Sequence, residues 1–481
     1  MIYNEDITKN YIFFNYSVIK YLGKEKPYKK ERKKNMEDTI AAISTAQGVG
    51  AISIIRMSGP DSLIIANKIF DKDILSAKTH TIHYGHIVMN NEIIDEVLIS
   101  VMLAPKTFTK ENVIEINCHG GINTTNKVLE LLLTNGARLA EPGEFTKRAF
   151  LNGRIDLTEA EGIMNLIESK SDISRKLSIN QITGQVSSLI DDLRNDLVKI
   201  ISNIEVNIDY PEYDDVEVLT NEKITPDLKK LINKMQNIVE KSADGKIITE
   251  GLNIGIIGRP NVGKSSLLNA LLEEQKAIVT DIEGTTRDLV EGKFLLNGIV
   301  CNIIDTAGIR NTDNLVEKIG VNKSYEIIDK ADLIIYLLNN NEELYKEDYE
   351  LLEKIKQKNY LIVVNKTDLP KKINIQEPNI IEMSIKNNLG IDTLKNKIIE
   401  LFNLEKLATN DPTYLSSARS ISLLKRSLNI LEESINKIND YPIDIIELDL
   451  KEAWSLLGEI NGKTYKDELI DEMFSRFCLG K

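Results

Sequence analysis

The most chemically specific stretch of this chain is Gly258-Arg259-Pro260-Asn261-Val262-Gly263-Lys264-Ser265, set between the apolar run Leu252 to Ile257 and the helix-forming run Ser266 to Leu272. A glycine-bounded turn at this spacing wraps the α- and β-phosphates of a nucleotide in backbone N–H groups. Its lysine reaches the β- and γ-phosphate oxygens, and its serine hydroxyl ligates Mg²⁺. Asn261, Val262, Gly263, Lys264, Ser265 and Ser266 are therefore candidate nucleotide ligands. Three further runs follow in order. Gly284-Thr285-Thr286-Arg287-Asp288 offers a threonine hydroxyl to complete the Mg²⁺ sphere and order a switch loop. Asp305-Thr306-Ala307-Gly308 offers Asp305 behind the metal and the Gly308 N–H to the γ-phosphate. Asn365-Lys366-Thr367-Asp368 follows the buried run Leu361 to Val364 and supplies a carboxylate for guanine N1–H and its 2-amino group. Adenine lacks that donor pair and would leave the carboxylate unsatisfied. Ser384-Ile385-Lys386 stands where a base-contacting Ser-Ala-Lys loop belongs, with Ile385 as a departure. Together these runs predict a GTP-binding domain.

Hydrolysis needs an oriented water and a positive charge at the phosphates. The position after Asp305-Thr306-Ala307-Gly308, often a water-orienting Gln, is Ile309, which has no polar atom. Glu317, in the polar segment Asn311 to Lys318, can orient a water or can be an ordinary surface carboxylate. Asn261, with oxygens of the Thr280 to Thr285 loop, is a candidate ligand set for a monovalent cation acting in place of an arginine finger.

The elements that must position these groups can be read from pattern. At 481 residues, with 42% hydrophobic and 28% charged residues, the chain is an ordinary globular sequence of about three domains. Its net charge of −13 argues against a broad nonspecific grip on nucleic acid, leaving a local RNA site open. Three scattered cysteines, Cys118, Cys301 and Cys478, fit a reducing compartment and argue against a disulfide framework or a cysteine zinc site. No apolar stretch reaches membrane-span length, and a cytoplasmic protein without membrane attachment is expected.

Residues 1–35 carry nine Lys/Arg against four Asp/Glu and suit neither a signal nor a transit peptide. They read as a disordered leader or translation upstream of a start at Met36, with a basic RNA-contacting arm as the other reading. Residues 36–155 read as an α+β domain: strands Ala41 to Arg56 around a glycine turn, His80 to Met89, Glu96 to Met102 and Val113 to Asn117, with a capped helix Asp61 to Phe70 and a helix Thr124 to Asn135 closed by Gly136. His80, His83 and His86 are expected on one strand face, where they suggest a metal, but without a nearby acidic or cysteine partner they read as exposed strand histidines. Helical periodicity marks Leu157, Ala160, Met164 and Ile167, then Leu189, Leu193, Leu197, Ile200 and Ile204, and returns after the GTPase at Ile421, Leu424, Leu428, Leu431 and Ile435. Residues 250–403, the GTPase, are thus expected as an insert between two halves, 156–249 and 404–481, of one helical domain. The Asn297-Gly298 pair predicts a hairpin inside the insert.

From Met36 to Lys481 the chain resembles the MnmE (TrmE) family. The resemblance rests on Glu115-Ile116-Asn117-Cys118-His119-Gly120-Gly121, Glu141-Pro142-Gly143-Glu144-Phe145-Thr146, Arg148 to Leu157, Asp281-Ile282-Glu283-Gly284-Thr285-Thr286-Arg287-Asp288 and the terminal Phe477-Cys478-Leu479-Gly480-Lys481. It implies a multidomain α/β chain: an N-terminal folate-binding and dimerising domain, a split helical domain and a Ras-like P-loop GTPase. It implies a homodimer working with an FAD-dependent MnmG (GidA) partner, in a heterotetramer, on tRNA. The chemistry implied is addition of an aminomethyl or carboxymethylaminomethyl group to C5 of the wobble uridine, with carbon from 5,10-methylene- or 5-formyl-tetrahydrofolate and nitrogen from glycine or ammonium. The resemblance assigns K⁺ to Asn261, Thr280, Ile282 and Thr285, Mg²⁺ to Ser265 and Thr286, and water orientation to Glu317. It places folate on Arg56, Glu115, Arg154 and Lys481. Cys478 is either a nucleophile toward uridine or a small buried residue docking the tail. Departures are Ala46-Gln47-Gly48-Val49-Gly50-Ala51 in place of a Pro-Pro-Gly-Arg-Gly-Gly turn, and Arg154 in place of a frequent lysine. Two other readings compete. A ribosome-assembly GTPase would add a basic appendage after the GTPase, where this chain is acidic and helical. A membrane-remodelling GTPase would need a basic amphipathic helix or apolar anchor.

Overall fold

The computed structural model describes residues 38–46, 48–209, 221–273, 290–304, 325–378, 380–405, 415–464, 467–475, 477 and 480. They divide into two compact units, 1–155 with 466–481, and 156–465.

In the first unit, β1 (Ile40–Ile43), β2 (Ile52–Ser58), β3 (Thr81–Met89), β4 (Glu92–Met102), β5 (Val113–His119) and β6 (Arg138–Leu139) form one sheet in the order β3-β4-β5-β2-β1-β6. All neighbours are antiparallel except β1 and β6. Strand β1 reads Ile-Ala-Ala-Ile because it is covered on both faces: Ala41 joins one core, Ile40 and Ala42 another. The larger core is closed by α1 (Ser62–Ile69) and α2 (Ile122–Thr134) through Ile65, Ile69, Val128 and Leu132. The smaller one holds Phe145 of α3 (Glu144–Leu151). Buried Arg148 of α3 ties this layer together, pairing with Asp38, Glu111 and Glu144.

Two details of the sequence reading change here. Helix α1 has no side-chain cap from Asp61, whose backbone N–H donates to the Thr39 hydroxyl. His83 and His86 are three positions apart on β3 and so point to opposite faces, His80 precedes the strand with φ 60°, and His86 has an acidic partner, Asp71, at 2.7 Å.

The second unit contains α4 (Leu157–Glu168), α5 (Asp172–Ile182), α6 (Gln185–Asp209) and α7 (Asn221–Glu250) before the GTPase region. That region holds β7 (Leu252–Ile257), α8 (Lys264–Glu273), β8 (Val290–Leu296), β9 (Ile299–Ile304), β10 (Leu333–Asn339), α9 (Lys346–Ile355), β11 (Asn359–Asn365), β12 (Ile380–Glu382) and α10 (Ile391–Leu401). Its sheet runs β12-β11-β10-β7-β9-β8, parallel except for the β8–β9 hairpin. Alternate residues of β10 serve opposite faces. Leu333, Ile335 and Leu337 meet α8 and α10, while Ile334, Tyr336 and Leu338 meet α9. This is a doubly wound sheet. The hairpin turns at Asn297 and Gly298, with φ 50° and 79°, as a type I′ turn requires.

Helices α11 (Ala418–Lys437) and α12 (Ile443–Asn461) follow. Their Leu424, Leu431, Leu450 and Leu457 share one core with Leu193, Leu197 and Ile204 of α6 and Leu228 and Met235 of α7. Ile167, expected on a buried face, is 43% exposed. The last helix, α13 (Asp467–Ser475), grouped with the helical domain in the sequence reading, packs in the first unit. Phe474 stacks near Phe150 and Phe477, Lys147 pairs with Asp471 at 2.7 Å, and the Ser44 hydroxyl donates to the Gly480 carbonyl at 3.0 Å.

Gly143 sits under this tail at φ +68°, and a Cβ there would lie 2.5 Å from the Phe474 carbonyl oxygen. Gly143→Ala should destabilise the first unit by about 1–3 kcal/mol and expose the tail to protease. Thermal unfolding with limited proteolysis reads both effects.

Candidate functional site

The phosphate-binding turn is built by backbone conformations that few residues tolerate. Gly258 and Gly263 have φ 150° and 107°, and Asn261 between them has φ 62°. A Cβ on Gly258 would meet the Leu337 carbonyl at 2.3 Å, and one on Gly263 the Asn365 amide nitrogen at 2.5 Å. The turn feeds directly into α8, leaving the first N–H groups of the helix without intrahelical partners and Ser265 and Ser266 exposed. Buried Lys264 folds back onto its own turn, donating to the carbonyls of Gly258 and Arg259 at 2.7 Å each. Burial pulls its amine down to about 8. The same carbonyls cannot neutralise it; a phosphate can.

The residues predicted to read the base are tied to the same turn. The Asn365 side chain donates to the Val262 carbonyl at 2.9 Å and accepts the Ile385 N–H at 3.2 Å. Lys366, at φ 63°, donates to the Asn261 carbonyl at 2.8 Å. The Ser384 hydroxyl donates to Asp368 at 2.7 Å, which holds that exposed carboxyl below its ordinary range and ionised. Lys386 adds a favourable charge. Thus Ile385 contributes through its backbone N–H, and its apolar side chain does not impair that role. Residues 280–286 and 305–308, Glu317, Cys478 and Lys481 lie outside the described residues.

One supporting group was not read from the sequence. Arg259 stacks 4.2 Å from the Tyr345 ring, approaches Asp348 at 3.2 Å and donates to the Glu343 carbonyl at 3.0 Å. Asp348 is fully buried and takes the Tyr336 hydroxyl, whose pKa burial and this carboxylate both raise. The one signal for it was a lone hydroxyl, Tyr336, inside the apolar strand β10, since a buried hydroxyl requires a partner.

In the first unit, Arg56 on β2 faces Glu115 on β5, with its Nε 2.8 Å from the carboxylate. Its guanidinium lies 5.9 and 5.8 Å from the Phe108 and Phe145 rings. Arg154 lies 4.9 Å from the Phe108 ring and, with Lys106 and Lys110, lines a cavity of about 380 Å³ whose floor includes Met102 and Phe108. Arg56 and Arg154 thus both approach the Phe108 ring, and Glu115 holds Arg56.

A family model described as the MnmE helical domain matches residues 157–478, and one described as the GTP-binding protein TrmE N-terminus matches 39–154. The tRNA modification GTPase MnmE of Bacillus cytotoxicus is 50% identical over 455 residues, covering 92% of this chain and 99% of that protein. The chain belongs to the MnmE family of tRNA modification GTPases. The MnmE of Ligilactobacillus salivarius is likewise 50% identical, over 92% of this chain and 98% of that one. Among solved structures, the FeoB G-domain of Methanococcus jannaschii matches 32% of this chain and 98% of its own, at 27% identity and a TM-score of 0.24. Membership of this family makes the protein a GTPase of tRNA modification. Among the described residues no helix is long and apolar enough to cross a membrane, and no His, Cys, Asp and Glu group is set to hold a metal.

The Lys264 amine has a signed pH consequence. The unfolded chain holds its proton up to the ordinary 10.5, so burial costs stability below about pH 8 and that cost fades as pH rises toward 10.5. Bound phosphates restore the charged form, so GDP binding should take up protons between pH 8 and 10. Calorimetry in two buffers of different ionisation enthalpy measures this, and the uptake should vanish in Lys264→Met.

Proposed function

We propose that this GTPase, as a homodimer with an MnmG-type FAD protein, drives C5 aminomethyl or carboxymethylaminomethyl modification of the tRNA wobble uridine in the cytoplasm, using a one-carbon tetrahydrofolate. The observation that carries the folate part is the cationic, aromatic-walled cavity beside the Arg56–Glu115 pair. A carboxylate suits the amidine-like edge of a pterin, arginine and lysine suit the glutamate tail, and the Phe108 ring offers a stacking face. The bound folate would supply the transferable carbon. Arg56 and Arg154 then hold and orient it, and Lys481 completes the set beside them. Exposed Ile82, Tyr84 and Leu98, on one face of the β3–β4 hairpin, support a self-association surface.

At the GTPase site the donor set fits Mg·GTP. Lys264 and the turn hold the β- and γ-phosphates, Ser265 with Thr286 would hold Mg²⁺ with Asp305 behind it, and Asp368 reads guanine. Gly284, Gly308, Asp281, Glu283, Thr306 and Ala307 complete the nucleotide loops. Asn261, the only described member of the cation set, stands exposed on the turn at φ 62°, and K⁺ would also use Thr280, Ile282 and Thr285. Such an ion supplies positive charge at the phosphates, and Glu317 orients water where Ile309 cannot. Lys264 and Glu317 carry hydrolysis in this reading, while Cys478 serves as a tail-docking residue.

GTP turnover should therefore rise at least about tenfold in KCl over NaCl at equal ionic strength, and Glu317→Ala should keep GTP affinity while losing turnover. Equal rates in the two salts would remove the cation from the mechanism. Calorimetric titration with 5-formyl-tetrahydrofolate should give saturable binding that Arg56→Ala weakens about tenfold or more and that removal of residues 477–481 abolishes, with GDP affinity unchanged.

A further inference from the structure

Two side chains tie the second half of the Gly258–Ser265 turn, Asn365 at the Val262 carbonyl and Lys366 at the Asn261 carbonyl. The first half is held differently. Lys264 donates to the carbonyls of Gly258 and Arg259, and a phosphate that draws the amine away leaves them without it. What then remains is the Arg259 side chain. Its guanidinium lies 4.2 Å from the Tyr345 ring, its Nη2 donates to the Glu343 carbonyl at 3.0 Å, and its Nε stands 3.2 Å from Asp348 Oδ2. Asp348, the third residue of α9, is fully buried. The same carboxylate caps α9 by accepting the Tyr345 backbone N–H at 2.9 Å, and its other oxygen takes the Tyr336 hydroxyl.

A helix cap needs no arginine, and a hydroxyl partner needs no cation, so neither role explains why the carboxylate also faces Arg259. A glycine-rich turn loses much backbone freedom when it is fixed, and a tie that fixes it beforehand raises its affinity for a ligand. An ion pair to a buried carboxylate is such a tie. Its surroundings screen it little, and removing one partner leaves a buried charge unmatched. The planar guanidinium makes the ion pair, the hydrogen bond to Glu343 and the ring stack at once, which an ammonium cannot. We propose that Asp348 is a positioning residue for the guanine nucleotide: through Arg259 it holds the first half of the turn in its phosphate-binding shape. The inference rests on the reading of Gly258 to Ser265 as the phosphate turn. Such a tie acts alike on bound GTP and on its transition state, so it sets affinity rather than the rate of the chemical step.

The test compares variants of the full chain by GDP calorimetry, GTP turnover and thermal unfolding. Asp348→Asn and Arg259→Met should each weaken GDP binding and raise KM for GTP about tenfold, with kcat changed less than about twofold. Tyr336→Phe removes a different hydrogen bond from the same carboxylate and leaves the ion pair in place. It should lower the unfolding temperature and leave GDP affinity unchanged. Lys264→Met separates this inference from the reading beneath it. Should Lys264→Met bind GDP as the wild type does, the reading of the turn falls and the inference with it. Should Lys264→Met lose GDP while the folded Asp348 and Arg259 variants bind as the wild type does, the positioning role alone is overturned. A Tyr336→Phe chain that weakens GDP binding as much as they do overturns it too. If Asp348→Asn fails to fold, the Arg259 variant decides, and Arg259→Lys, which keeps the charge but loses the fork, stands in for it.

Discussion

The helical part of the second unit depends on one hydrophobic core assembled from two distant stretches of chain. Leu193 and Leu197 of α6 and Met235 of α7 are buried against Leu424, Leu431 and Leu450, with the whole GTPase region between them in sequence. Burying these side chains fixes both ends of the intervening segment, so residues 250–403 must leave and return to the same bundle. Closing so long a loop costs only logarithmically more than closing a short one, provided that the loop is itself folded with neighbouring termini. The junction is tight. Helix α7 passes through Gly251 at φ 88° straight into β7, and a Cβ on that glycine would meet the Val300 carbonyl at 2.7 Å.

That junction makes helices and GTPase mechanically close. Ile248 at the end of α7 and Leu177 of α5 belong to the same core as Ile254, Leu267 and Leu337 of the GTPase. The tip of the β8–β9 hairpin rests on α5, where Gly298 approaches Ile173. Inside the GTPase, Asn365 and Lys366 tie the Gly258–Ser265 turn to the Asn365–Asp368 and Ser384–Lys386 segments, so that these form one framework rather than independent loops. Arg259, braced by Asp348 and Tyr345, anchors the same turn from its other side.

Much of this was legible from residue type and spacing. The Gly258 to Ser265 turn, strand β7, the Asn297-Gly298 hairpin and the split run of helical leucines each obey a local rule, and each formed as that rule requires. What stayed hidden was long-range. The Asp348–Arg259 brace joins residues far apart in sequence, with only the hydroxyl of Tyr336 to betray it. The helical pattern of residues 467–475 predicts a helix but not its host, which Phe150, Gly143 and Ser44 decide. Ile167 follows the helical period yet lies outside the core, because α4 buries only Leu157, Thr158, Ala160 and Gly162. The three histidines form no set, because a three-residue spacing alternates faces in a strand of period two and His80 lies outside β3.

The most direct measurement of the central claim, that GTP turnover in an inserted domain serves chemistry on tRNA, is mass spectrometry of tRNA nucleosides from cells lacking this chain. The account predicts that wobble uridines lose their C5 aminomethyl-type groups and regain them when the chain is restored. Wobble uridines that remain fully modified without it would contradict the account.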